Sequence, residues 1–327
     1  MLTFGSITAD ECAARAHWMD VLSELRYPTT PMAKLLSGLL ALLLFALVTV
    51  FSISSFLLYQ ILRPVKSPAS IFNIDAMIGH PSVFSFPVAG GATREGWFFP
   101  GLREAPVIVV CHGYQSQRID VLTLVTALQE HQYNVFSFDF VGNGTSPGVT
   151  TLGYKETTEL RAALNALGDR EDVDTKHFGL WGVDMGGYAA IEVAGEDSRV
   201  SAVAVDDAYT SPMVMLQLQA RQSGLTALPF VLKLTDFGFR WFNYSSRNAP
   251  PITERLPLAV GPKLFIASND RPVLAEDTML LFAKAPEPKR LLRYARGYRD
   301  MSDDDRKSYE SQIVNFFIEY MPPSLRR

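Results

Sequence analysis

The run Phe178-Gly179-Leu180-Trp181 reads as a buried strand that passes into Gly182-Val183-Asp184-Met185-Gly186 and then into an apolar helical stretch. In frames of the form G-x-S-x-G, a serine nucleophile sits at the apex of a tight strand-to-helix turn. Here the apex residue is Asp184. Acyl transfer needs an activated nucleophile, an imidazole to take its proton and an acid to orient that imidazole. The histidines are His17, His80, His112, His131 and His177, and none follows position 177. Sequence order brings only His112 near Asp184, and it opens His112-Gly113-Tyr114 directly after the apolar run Val107 to Cys111.

Aspartate at the apex raises a second obstacle. A carboxylate that attacked an ester or amide would form an anhydride, which reverts readily, and its charge would oppose the developing oxyanion. Losing one oxyanion donor costs about 3 kcal/mol, and a misplaced anion is at least as harmful. Attack on saturated carbon is easier, because a carboxyl with a reference pKa of about 3.9 is ionised without a base. A helix N-terminus adds about 0.3–1 kcal/mol in its favour. The alkyl ester so formed still needs an activated water to release it, and that step again calls for an imidazole.

The elements that must position these residues follow a regular order. Val83 to Val88 and Glu95 to Phe99 read as two edge strands, and Val107 to Cys111 as a strand covered on both faces. A helix at about 119 to 131, a strand at 134 to 140 and the loop Val141-Gly142-Asn143-Gly144 come next. Then follow a helix from Tyr154 to Leu167, the strand before Asp184, a helix to about 195 and a strand from 200 to 207. After an irregular stretch at 209 to 258 come the strand "KLFIASND", a helix at 273 to 284, the strand "RLLRYARG" and a helix at 303 to 320. Strands that alternate with helices imply an α/β fold with a mostly parallel sheet wrapped on both faces. Its sites lie at the carboxyl ends of the strands.

Four segments in this order carry a resemblance: "HGY" at 112 to 114, "FDFVGNGTSPG" at 138 to 148, "GVDMGGYAA" at 182 to 190 and "NDRPVLAEDT" at 269 to 278. The chain resembles the α/β-hydrolase superfamily, and within it the membrane-anchored serine hydrolases related to aminopeptidases and dienelactone hydrolases. The resemblance implies an oxyanion loop at His112, Gly113 and Tyr114, helped by Met185, and a catalytic acid at Asp270. It implies a histidine in the loop after the last strand, where this chain has Arg296, Tyr298 and Arg299, with Tyr298 at the histidine's position. The family's arginine and histidine in the second glycine loop appear here as Val141 and Asn143. Arginine is no base near neutral pH, and tyrosine titrates near about 10. One of the two arginines is therefore expected to pair with Asp184 or Asp270, while the plainer reading of Asp270 is a solvated carboxylate beside Arg271. Haloalkane dehalogenases and epoxide hydrolases of the same superfamily place aspartate at the elbow. They also follow HG with a proline motif and the aspartate with tryptophan, where this chain has "HGYQSQR" and Met185. The expected reading is a serine-hydrolase scaffold with a degenerate site, a binding or scaffold module for a small acyl-like or peptidic ligand. The alternative is an active hydrolase, esterase- or peptidase-like, or one that works through Asp184.

The bulk of the chain fits that reading. It has 327 residues, a net charge of −4 and 48% hydrophobic residues. That is enough for a large core, and it offers no basic field for nucleic acid. Cys12 and Cys111 flank a long apolar segment and fall in no zinc or C-x-x-C spacing, so neither an internal disulfide nor a bound metal is expected, and no motif calls for a cofactor. The segment from Leu35 to Leu62 carries no charged residue. About 20 apolar residues suffice to cross a bilayer as a helix. Its length and the polar lead before it distinguish it from a cleaved signal peptide. Arg15, Arg26 and Lys34 before it and Arg63 and Lys66 after it set no orientation.

The expected organisation is a polar segment at 1–34, a single membrane span at 35–62 in contact with the bilayer, a linker at 63–80 and the α/β domain at 81–327. Within that domain, 209–258 occupies the place of a lid insertion. Met213, Met215, Leu216 and Leu218, with Phe237, Phe239, Trp241 and Phe242, either line a pocket, rest on the bilayer or pack on the core. Asp303-Asp304-Asp305 after Ser302 reads as a capped helix start and not as a metal site. No residue pattern names a protein partner.

Overall fold

The computed structural model describes residues 30–65 and 80–323. Most of the expected polar lead and of the expected linker lies outside that range. The chain divides into two compact units between Phe56 and Leu57.

The first described element is α1, Pro31–Leu62, one uninterrupted helix of 32 residues. At 1.5 Å per residue it is about 48 Å long, against a hydrocarbon core of about 30 Å. It is long and apolar enough to cross a membrane. Its last turn, from Leu57 on, belongs to the second unit. There Ile61 O accepts a hydrogen bond from the Tyr114 hydroxyl at 2.8 Å, and Leu62 O accepts one from Thr150 N at 3.1 Å.

The second unit is built on a sheet of eight strands: β1 (Ser82–Pro87), β2 (Thr93–Phe99), β3 (Pro106–Cys111), β4 (Asn134–Phe138), β5 (Asp174–Val183), β6 (Val200–Asp206), β7 (Lys263–Ser268) and β8 (Lys289–Tyr294). Their order across the sheet is β1-β2-β4-β3-β5-β6-β7-β8. β2 runs antiparallel to both its neighbours and the other pairs are parallel. Two edge strands were expected at the start of the domain, but only β1 is an edge. β2 is inside because its Trp97, Phe98 and Phe99 are buried, and it pairs with β4 as well as β1.

The helices are α2 (Leu122–Glu130), α3 (Tyr154–Gly168), α4 (Met185–Ala194), α5 (Pro212–Gln222), α6 (Pro229–Phe242), a single turn α7 (Ile252–Arg255), α8 (Pro272–Lys284) and α9 (Asp303–Tyr320). Leu124, Val125 and Leu128 of α2 meet Ile313, Val314 and Phe317 of α9 in one core cluster with Ile108, Val110 and Trp181 of the sheet. α3, α4 and α8 pack against β1, β5, β6 and β7. β3 is buried at every position because neighbours cover both its faces. The fold is the α/β-hydrolase fold, a mostly parallel sheet with helices around it, preceded by one apolar helix. The segment after β6 is helical, with α5 and α6 where the sequence reads as irregular. Ser302 caps α9: its hydroxyl accepts from Asp305 N at 3.3 Å and donates to Asp305 Oδ2 at 2.7 Å.

The turns at the carboxyl ends of β3, β5, β6, β7 and β8 bring the chemistry-bearing residues to one side of the sheet.

Candidate functional site

The elbow after β5 is retained in full. Asp184 has φ 38° and ψ −100°, a left-handed strained conformation for a non-glycine residue. The glycines around it permit the tight crossing. A Cβ on Gly182 would lie 2.4 Å from the Gly186 backbone, and one on Gly186 would lie 2.4 Å from Cys111 O. The turn is fixed by Asp184 N donating to Asp206 O at 2.8 Å and by Tyr188 N donating to Asp184 O at 2.9 Å.

At the apex, the side chain turns back onto the backbone donors beside it. Asp184 Oδ1 accepts from Tyr114 N at 2.7 Å and from Met185 N. One of these two amides follows β3 and the other starts α4. Oδ2 lies 3.5 Å from Arg271 Nη1. Gly113 makes room for the carboxylate, since a Cβ there would stand 2.7 Å from Oδ2. Asp184 is 2% exposed. Burial pushes its carboxyl above the usual carboxylate range, and Arg271, the two amides and Arg299 offset that only in part.

The cation beside Asp184 is thus Arg271. The expectation of Arg296 or Arg299 is corrected: Arg299 Nη1 donates to Tyr114 O at 3.3 Å, steadying the loop that presents the Tyr114 amide. Asp270 does not pair with Arg271. Asp270 Oδ1 accepts from Gly297 N at 3.0 Å, a bond that ties the loop after β7 to the loop after β8.

Tyr298 is also placed differently from expectation. Its side chain is buried between Trp181 and Tyr309, with ring centroids 5.2 Å from each. Its hydroxyl donates to Glu310 Oε1 at 2.8 Å and lies 3.1 Å from Thr123 Oγ1. An aromatic ring gains more from the apolar core under the sheet than from the solvent-facing mouth. Arg299, one residue on, lines the cavity in its place.

His112 is fully buried with both ring nitrogens engaged. Phe140 N donates to Nε2 at 3.0 Å, so Nδ1 carries the proton and donates to Gly113 O at 2.8 Å. It clamps the loop after β3 to the glycine loop after β4. His131 Nδ1 lies 2.8 Å from Ala127 O, and His177 is paired with Asp174 at 2.7 Å. His80 is exposed at the start of the described domain, and His17 lies outside the described residues. Among the described residues, no histidine is a partner of Asp184.

Two buried acids beside the site were not singled out as functional in the sequence. Asp206 Oδ2 accepts from Tyr309 OH at 3.1 Å, and Asp207 Oδ1 accepts from Ser268 N at 2.9 Å. Their other oxygens are buried without a hydrogen-bond partner. Burial raises both carboxyls, helped at Asp206 by the charge of Asp207 and at Asp207 by that of Asp184, and it brings Asp207 to about 6. Arg271 faces all three aspartates. Burial disfavours its charge, but Asp184, Asp207 and Asp206 outweigh that and hold it protonated. The signal in the sequence is a pair of acids closing an otherwise apolar strand at the carboxyl end of the sheet.

A cavity of about 230 Å³ opens onto Asp184. Tyr114, Gln115, Asp270, Arg271 and Arg299 line its polar side, and Met215 and Leu218 of α5 its apolar side. Met213 is half-buried, Leu216 and Phe239 are buried, and Phe237, Trp241 and Phe242 are exposed. Among the described residues, no cluster of three or more histidine, cysteine or acidic side chains is arranged to hold a metal ion. Cys111 is a free thiol inside β3, and burial pushes its pKa far up.

Known proteins resemble this chain. The protein YfhR of Escherichia coli strain K12 is 27% identical over 248 residues, 73% of this chain and 81% of the relative. Among solved structures, the esterase Pf2001 of Pyrococcus furiosus superposes with a TM-score of 0.63 at 19% identity, over 80% of this chain and 99% of the esterase. The alpha/beta hydrolase GrgF of a Penicillium species superposes with a TM-score of 0.58 at 20% identity, over 74% of this chain and 99% of that one. At those identities, the structural likeness speaks for the fold alone. The model of the alpha/beta hydrolase family matches residues 108–319, well over half the chain. With the strand order, the retained elbow and this match, the chain belongs to the alpha/beta hydrolase family.

Proposed function

We propose that this is a single-pass, membrane-anchored member of the family whose serine-hydrolase site is degenerate, and that it works as a binding or scaffold module without turnover. One observation carries the reading: the Asp184 carboxylate occupies both amide donors that would otherwise hold a substrate's oxyanion. A transition state cannot use donors that are already filled by a charge-assisted bond. Arg271 stabilises that arrangement, and no imidazole among the described residues is placed to activate water there. α1 supports the anchor, being longer than a bilayer core is thick.

The cavity next to Asp184 suits a small ligand with an apolar end against Met215 and Leu218 and a polar or anionic end toward Gln115, Arg271 and Arg299. α5 then acts as a lid wall. A thermal-shift series of short-chain fatty acids and dipeptides on the detergent-solubilised full chain tests this. Stabilisation by at least one class is expected, and it is expected to be lost in Leu218→Trp, which fills the cavity. Absence of any such stabilisation would favour a purely structural role.

A second reading rests on Asp184 Oδ2, which faces Arg271 at the cavity while Oδ1 is held by the two amides. An oxygen so placed could attack a haloalkane or epoxide carbon, forming the carbon–oxygen ester and expelling halide or opening the ring. Without a base to activate water, that ester would persist. Intact-mass measurement after incubation with both reagents discriminates: a stable adduct on Asp184 would favour this reading, and an unchanged mass the non-catalytic one.

A further inference from the structure

The helix α6 has two apolar faces. Val231, Thr235 and Phe239, spaced by four, are buried against the domain. On the opposite side Phe230, Phe237 and Trp241 are 75%, 62% and 73% exposed. Positions 230, 237 and 241 fall within about 40° of one another on a helix of 3.6 residues per turn. Tyr244, 56% exposed, continues the stripe just beyond the helix. Lys233 and Arg240 flank it on one side, and Arg247 stacks on the Tyr244 ring at 3.9 Å. Large aromatic side chains aligned and left in water are costly in a soluble protein, and such patches mark an interaction surface.

The location of α6 identifies what covers that surface. Gly238, on the other flank of the stripe, lies against Leu58 in the last turn of α1: a Cβ on Gly238 would be 3.0 Å from Leu58 Cδ2. One residue on, Tyr59 carries the Arg63 guanidinium over its ring at 5.1 Å, and the apolar run ends at Leu62. An aromatic ring beside a long basic side chain at the end of an apolar helix has the chemistry of the headgroup layer. α6 lies at that level, with an aromatic face, a basic flank and only Asp236 as an acid, and Asp236 is bonded to Gln217 of α5 at 3.0 Å.

We infer that α6 lies in the headgroup–acyl boundary of the bilayer that α1 enters, with Phe230, Phe237 and Trp241 inserted and Lys233, Arg240 and Arg247 against anionic headgroups. This is the arrangement of an interfacial amphipathic helix. The inference rests on the reading of α1 as a membrane anchor. It also gives the cavity a direction of supply, because α5, tied to α6 through Gln217, walls that cavity. An amphipathic ligand could reach the cavity from the membrane surface.

The test uses the full chain reconstituted in vesicles of phosphatidylcholine and phosphatidylglycerol, with phosphatidylcholine brominated on its acyl chains as the quencher. Tryptophan emission is compared between the wild type and Trp241→Phe, which keeps an exposed aromatic residue and leaves the core untouched. The other tryptophans are Trp18, before α1, and the buried Trp97 and Trp181. Bromolipid is expected to quench the wild type clearly more than Trp241→Phe, and aqueous iodide is expected to quench the two proteins equally little in the vesicles. Equal bromolipid quenching of the two proteins would overturn it. So would shielding of Trp241 from iodide without bromolipid quenching, which would assign the face to a second copy or another protein. Flotation of the same vesicles after an alkaline wash separates the two readings: a chain that floats without Trp241 quenching loses only the α6 inference, and a chain that fails to float loses the anchor itself.

Discussion

At the scale of single residues, the site is governed by where charge is buried. Asp184 brings an anion close to two further buried acids, Asp206 and Asp207, and Arg271 is the cation in contact with it. Removing Arg271 should therefore harm the fold more than neutralising Asp184. Arg271→Met is expected to cost about 2–3 kcal/mol in denaturant unfolding near pH 8, because it strands a buried carboxylate. Asp184→Asn, which keeps an oxygen on the two amides, should change stability by less than about 1 kcal/mol.

The same buried acids set a pH dependence. Burial raises Asp207 to about 6 and Glu159 and Glu192 to about 7, the last two with partial relief from Arg94 and Arg255. A carboxyl raised in the folded state binds its proton more tightly folded than unfolded, so stability falls as pH rises through that window. The melting temperature should decline between about pH 4, where unfolded carboxyls titrate, and pH 8. Asp207→Asn should flatten the lower part of that decline. The sequence made Asp184 legible, because two glycines at fixed spacing demand an elbow whatever the apex residue. It did not make Arg271 legible as its partner. Which of several arginines reaches a carboxylate depends on loop paths after β7 and β8, and these have no periodic signal.

At the scale of elements, the glycine frame and the clamp of His112 hold the site together. Gly186 sits so close to β3 that a Cβ would collide with the backbone oxygens of Cys111 and His112, at 2.4 and 2.6 Å. Backbone cannot yield as a flexible side chain can, so Gly186→Ala is expected to cost about 3 kcal/mol in the same unfolding measurement. Strand and helix order was readable from apolar runs and helical spacing, and the buried strands β3, β5, β6 and β7 fall where those runs predict. Two features were not readable. β2 sits inside the sheet because of long-range pairing with β4, which alternation within Glu95 to Phe99 does not encode. α5 and α6 carry apolar residues on more than one face, so their periodicity blurs and the segment reads as irregular. Tyr298 shows the same limit at a loop: its neighbour Arg299 faces the cavity, and only the packing of Trp181 and Tyr309 decides which of the two turns inward.

At the scale of the whole molecule, a preserved hydrolase frame joins an apolar helix whose last turn is hydrogen-bonded to the site's own loop. The Tyr114 hydroxyl reaches Ile61 O, and the Tyr114 amide holds Asp184. The end of the helix and the Asp184 carboxylate are therefore tied to one residue. The central question is whether Asp184 still performs chemistry. Steady-state turnover by the purified full chain across esters, haloalkanes and epoxides is the direct measurement. Rates for the wild type are expected to match those of Asp184→Ala and of the protein-free blank. Repeated turnover by the wild type that disappears in Asp184→Ala would contradict the non-catalytic reading.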